Sequence, residues 1–146
     1  MPERPAQTLL AFDFGQRRIG IASGNTLTGA AAPLRTVDNG PAGPDWDGIG
    51  RAIRTLQPGL LVVGKPYNVD GTPGALHAAA ERFAAALAER FGLPVERVDE
   101  RYSSLEASAR LKQQRHSGQR RRRVRHEDID SRAAAIILER WLQGEG

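Results

Sequence analysis

Three acidic residues stand where the apolar pattern expects burial or a strand end, and carboxylates so placed call for a cation. Asp13 interrupts the apolar run Leu9-Leu10-Ala11-Phe12 and is followed by Phe14. A run apolar on both faces suits a strand covered on both sides. An ionised carboxylate taken out of water there is costly unless paired or bound to metal. Glu100, preceded by Asp99, closes a late strand read over Pro94–Val98. Asp130 opens the last helical segment, and with Ala133, Ala134, Ile137 and Trp141 it makes a stripe at helical spacing, the face that packs on a sheet. Carboxylates converging from two strand ends and a helix repel one another unless a cation lies between them. Oxygen donors suit hard ions such as Mg²⁺ or Mn²⁺. A pair of such ions about 4 Å apart holds the attacking and leaving oxygens of a phosphodiester during in-line displacement. That chemistry needs no His or Cys, in a chain with three His and no Cys.

Each carboxylate has a plainer role open to it. Asp13 could accept hydrogen bonds from the turn Gly15-Gln16-Arg17-Arg18, Asp130 could be a helix N-cap, and Glu100 could pair with Arg97 or Arg101 at the surface. Asp70, in NVDG, reads as a turn residue. Lys65, just after a strand, is the cation placed near the acidic site. The weight lies in the combination with charge. Between Arg110 and Arg125 there are eight Lys or Arg and no Asp or Glu, while the rest of the chain holds 13 basic against 17 acidic residues. A basic patch on an acidic body is the footprint of a polyanion partner.

Other constellations are missing. There is no GxxxxGK[ST] loop and no GxGxxG, and no Ser sits in a GxSxG elbow. His77, His116 and His126 lack metal-ligand spacing, and the absence of Cys excludes disulfides and thiolate metal sites. With no apolar run near 18 residues and no apolar leader in MPERPAQTLLAF, a soluble cytoplasmic protein is expected. The 146 residues suit one domain.

The elements that must position these groups follow from periodicity and chain breakers. Residues 8–14 and 18–23 read as a hairpin, Ala31–Val37 as a third strand and Asp38–Asp47 as a loop. Trp46–Leu56 reads as a helix stopped by Pro58 and Gly59, and Leu60–Val63 as a buried strand. The spacing of Leu76, Ala80, Phe83, Leu87 and Phe91 predicts a helix, with Thr72 as N-cap and Pro73 as its first residue. Ser103 and Glu106 fit a capping box on a helix ending near Arg115, and the last helix spans about Asp128 to Leu142. Hairpin strands followed by strand–helix alternation predict an α/β protein with a mixed sheet flanked by helices.

Four segments in order, AFDFGQRRIGIA, GKPYNVDGT, VDERYSSLEA and IDSRAAAIILERWL, resemble the YqgF family, also called RuvX-type. Its members are bacterial pre-16S ribosomal RNA nucleases, also described as Holliday junction resolvases. The resemblance covers nearly the whole chain. It implies an RNase H-like fold with a mixed five-stranded sheet, an antiparallel three-strand meander followed by parallel strands. It further implies that Asp13, Glu100 and Asp130 form the catalytic metal site for Mg²⁺ or Mn²⁺, with Asp99 a neighbour and Asp70 an auxiliary. The chain departs from the family pattern at Lys65, at Arg132 and in the arginine density of 120–125.

The expected function is metal-dependent hydrolysis of phosphodiester bonds in structured nucleic acid, foremost the 16S rRNA precursor in ribosome biogenesis. One nuclease domain over residues 1–146 would carry it. Arg115, Arg120, Arg121, Arg122, Arg123, Arg125 and Lys65 are the expected nucleic-acid contacts, with ribosomal precursor particles as partners and no membrane. The nearest alternative is a Holliday junction resolvase acting on branched DNA. Two others belong to different classes: a nucleic-acid-binding module without catalysis, and an actin-like ATPase fragment, since DFGQRRIGIA also resembles a phosphate-binding hairpin.

Overall fold

The strand β1 (Thr8–Phe14) carries apolar side chains on both faces, and the rest of the fold is arranged to cover them. The computed structural model describes residues 7–65, 76–99 and 126–145. In chain order, the other elements are β2 (Arg18–Asn25), β3 (Ala30–Gly40), β4 (Gly43–Pro44), α1 (Trp46–Leu56), β5 (Leu60–Lys65), α2 (His77–Phe91), β6 (Val95–Asp99) and α3 (His126–Glu145). They form one mixed sheet in the order β4-β3-β2-β1-β5-β6. The β1–β2 and β2–β3 pairs are antiparallel, whereas β1–β5 and β5–β6 are parallel. The expected meander followed by parallel strands is therefore present, and β4 is an addition of two residues that makes the sheet six-stranded.

Strand alternation divides β1 between two cores. Leu10, Phe12 and Phe14 join Ile19 and Ile21 of β2 and Leu61 and Val63 of β5 beneath α1 and α2. Phe83 of α2 is the hub of that core, with ring centroids 5.7 Å from Phe12, 5.1 Å from Phe14 and 5.6 Å from Trp46. Leu9 and Ala11 face the other way, where Leu60, Val62, Ile137, Leu138 and Leu142 bury them under α3. Asp13 follows on that second face, at the C-terminal end of β1.

Several boundaries differ from the sequence expectation. The loop expected over Asp38–Asp47 is mostly paired backbone, because β3 continues to Gly40 and turns back through β4. Within it, Asp45 caps α1, its carboxylate accepting from the Gly48 N–H at 3.0 Å. The described α2 has Leu76 as N-cap with no side-chain capping bond. It begins where Leu76 and Ala80 meet the core; residues 72 and 73, like the Ser103–Glu106 capping box, lie outside the described residues. α3 starts at His126 and runs to Glu145, which makes Asp130 an interior residue rather than a cap. Among the described residues no helix is long and apolar enough to cross a membrane.

Candidate active site

Asp13 pairs with Gly20 across the β1–β2 ladder, and directly paired residues project to the same face of a sheet. The bare Cα of Gly20 is the seat for α3. A Cβ there would lie 2.0 Å from the backbone oxygen of Asp130 and 2.8 Å from the Ser131 nitrogen. The second contact of this kind is at Gly24, whose Cβ would come within 2.8 Å of Leu138 Cδ2. Between them, Ala22 packs on Ala134 and Ala135. Four strand residues advance about 13 Å and eight helical residues about 12 Å, so α3 runs along β2 in step with it. This track brings the backbone of Asp130 to the strand position opposite Asp13.

Arg18 lies two residues before Gly20, hence on the same face. Its Nε donates to Asp130 Oδ2 at 2.7 Å, with the two side chains 33% and 24% exposed. The backbone at this corner is held by hydrogen bonds. The Gly15 N–H donates to the Arg18 carbonyl at 2.9 Å, a turn with no room for a Cβ at Gly15, which would sit 2.6 Å from the Arg18 oxygen. Asn39, buried on β3, donates through Nδ2 to the Gly15 carbonyl at 2.6 Å and through its backbone N–H to the Arg17 carbonyl at 2.8 Å. The ends of β1 and β2 that present Asp13 and Arg18 are thus fixed to a third strand.

The three side chains Asp13, Asp130 and Arg18 together carry a net negative charge. Asp13 and Asp130 are hard oxygen donors of the kind that Mg²⁺ and Mn²⁺ take, so the residues fit a divalent ion. Among the described residues no group of three or more His, Cys, Asp or Glu converges as a metal site. Lys65 and Asp99 are register partners at the C-terminal ends of β5 and β6, the same end of the parallel strands as Asp13. Glu100, Asp70, Arg115, Arg120, Arg121, Arg122, Arg123 and Arg125, and the side chains of Lys65 and Asp99, lie outside the described residues. A groove of about 470 Å³ lined by Glu96, Arg97, Arg140 and Trp141 sits elsewhere, since eleven helical residues separate Asp130 from Trp141, about 16 Å along α3.

A family model described as RuvX, Holliday junction resolvase, matches residues 7–144. The chain belongs to the RuvX family. Among its RuvX relatives, a protein of Xanthomonas oryzae pv. oryzae (strain PXO99A) named "Putative pre-16S rRNA nuclease" is 42% identical over 146 residues, covering 97% of this chain and 94% of that protein. A protein of the same name from Paraburkholderia xenovorans (strain LB400) is 44% identical over 137 residues, covering 94% and 88%. The fold is similar to that of T. thermophilus RuvC in complex with Holliday junction substrate, with TM-score 0.52, 17% identity and 94% of each chain covered. It is also similar to the yeast mitochondrial Holliday junction resolvase Ydc2, with TM-score 0.55 and 11% identity over 97% of this chain and 80% of that one. These likenesses bear out the RNase H-like sheet expected of a RuvX member.

Arg18, Gly20 and Asn39 were not among the residues that the sequence singled out. One signal was present: Gly20, Ala22 and Gly24 place small residues at every second position of one strand, the pattern of a face approached closely by another backbone.

Proposed function

We propose that this RuvX member is a metal-dependent nuclease, one domain over residues 1–146, that hydrolyses phosphodiester bonds in structured nucleic acid during maturation of the 16S rRNA precursor. The observation that carries the reading is the seating of α3 on β2 at Gly20, the register partner of Asp13 in β1, which sets two carboxylates from opposite ends of the chain on one sheet face beside an arginine. Asp13 and Asp130 would hold Mg²⁺ or Mn²⁺, joined by Glu100, which follows the last residue of β6. Asp99 is their neighbour and Asp70 an auxiliary. When bound, the metal supplies Lewis-acid polarisation of the phosphodiester and a more acidic water. The chain's own contribution is to fix the two carboxylates on paired strand and helix backbone and to hold the flanking phosphates by cationic side chains. Arg115, Arg120–Arg123, Arg125 and Lys65 are the residues proposed for that contact, in the cytoplasm and on ribosomal precursor particles. The rRNA substrate is supported by the names of the relatives, and branched DNA, the second reading, by the description of the family.

The deciding experiment offers the purified protein a 16S rRNA precursor, a four-way DNA junction, linear duplexes and ATP, each with Mg²⁺ or Mn²⁺. RNA cleavage near a precursor end is expected. Symmetric junction cuts instead would establish the resolvase reading. ATP hydrolysis without cleavage would support an ATPase, and tight binding without cleavage would leave a binding module. The basic segment has its own readout in the salt dependence of binding. If four of its arginines contact backbone phosphates, replacing Arg120–Arg123 with glutamine flattens the plot of log affinity against log salt by about three units. An unchanged slope would mean that the run does not touch the nucleic acid.

A further inference from the structure

Arg18 engages the candidate metal ligand Asp130 through an ion pair, and its position is unusual for a purely structural partner. The Nε to Oδ2 contact of 2.7 Å occupies an oxygen of Asp130 that a divalent cation would use. A cation arriving between Asp13 and Asp130 also meets the guanidinium charge at close range, so the two positive groups compete for the Asp130 carboxylate. Both partners are partly exposed, the setting in which an ion pair is weak and exchangeable. The backbone beneath Arg18 stays fixed by the Gly15 turn and Asn39, so only the side chain has to move. A planar guanidinium is also the group best matched to two oxygens of a phosphate.

We infer that Arg18 is an interlock between cation and phosphate. It holds Asp130 until a divalent cation takes the carboxylate, and the released guanidinium then takes a phosphate oxygen of the nucleic acid. Cation and nucleic acid therefore bind with positive coupling, because each completes the exchange that the other begins. The inference rests on the metal-dependent reading above and specifies how that site is loaded.

The test measures Mn²⁺ affinity by calorimetry for the wild type, Arg18→Gln and Arg18→Lys, alone and with a nuclease-resistant 2′-O-methyl RNA hairpin. Removing the charge in Arg18→Gln is expected to tighten Mn²⁺ binding about tenfold in the absence of RNA. Arg18→Lys, which keeps the charge, is expected to stay near the wild type. The hairpin is expected to tighten wild-type Mn²⁺ binding about fivefold or more, and this enhancement is expected to vanish in Arg18→Gln. A wild type that binds no Mn²⁺ overturns the metal-dependent reading, and the interlock with it. A wild type that binds Mn²⁺ while Arg18→Gln shows the same affinity and the same RNA enhancement overturns the interlock alone, leaving Arg18 a structural partner of α3. Should Arg18→Gln not fold, the ¹⁵N-edited Nε–H resonance of Arg18 in the wild type decides. It moves on saturation with Mg²⁺ if the pair opens, and an unmoved signal overturns the interlock.

Discussion

Gly20→Ala is expected to destabilise the protein by more than the roughly 1–3 kcal/mol typical of an overpacked core. The added methyl would meet the backbone oxygen of Asp130 at 2.0 Å, and a helix backbone cannot yield as a side chain can. Either α3 lifts from β2, exposing the Ala22–Ala134 contact and the core around Ile137 and Leu138, or β2 bends away from β1. With a urea m-value of about 1–3 kcal/mol/M, the unfolding midpoint should fall by about 1 M or more. Gly40→Ala is the matched control, since a Cβ at Gly40 meets nothing within 4 Å, and it should melt close to the wild type. A Gly20→Ala protein within about 0.5 kcal/mol of the wild type, the range usual for surface changes, would mean that α3 is not seated on that glycine. Any folded Gly20→Ala protein should also cleave poorly, because the shift displaces Asp130 from Asp13.

Asp13→Asn and Asp130→Asn are each expected to reduce metal-dependent cleavage by about a thousandfold or more, and the double variant to be little worse than either, because groups that share one function act as a unit. Asp130→Asn breaks the pair with Arg18, a partly exposed contact that contributes about 1 kcal/mol or less, so it should stay folded and melt only slightly below the wild type. Time courses of cleavage with Mn²⁺ and thermal melts without it separate the two effects. Activity retained by either single variant would remove that residue from the site.

What sequence could foretell divides by the range of the interaction. Asp13 was legible because it breaks a run apolar on both faces, a local contradiction that needs no tertiary knowledge. The helix over Trp46–Leu56 was legible for the same reason, its apolar period and its Pro-Gly stop lying within one segment. β3 was underestimated because Asn39 and Gly40 look like turn residues on their own. They are strand residues here because Asn39 bonds to Arg17 and Gly15 and Gly40 pairs with Gly43. The Arg18–Asp130 pair was hidden altogether, since it depends on where a helix settles against a strand 112 positions earlier. Gly20 and Gly24 belong with it. Read along the chain they are weak strand formers, and only the approach of α3 makes them necessary.

That separation of 112 positions between Arg18 and Asp130 has a meaning during protein synthesis. A ribosome elongating at about 5–20 residues per second displays the strand with Asp13 many seconds before the helix with Asp130 leaves it. Throughout that interval the nascent chain carries Asp13 without Asp130, and so only one half of the proposed site. Under the proposed function the protein would act on precursors of the ribosomes that make it, and a half-made copy with a working centre would sit beside rRNA from its first moments. With its two acids split between an early strand and the last helix, the proposed centre would stay inert on the unfinished chain and become competent only when the last helix docks.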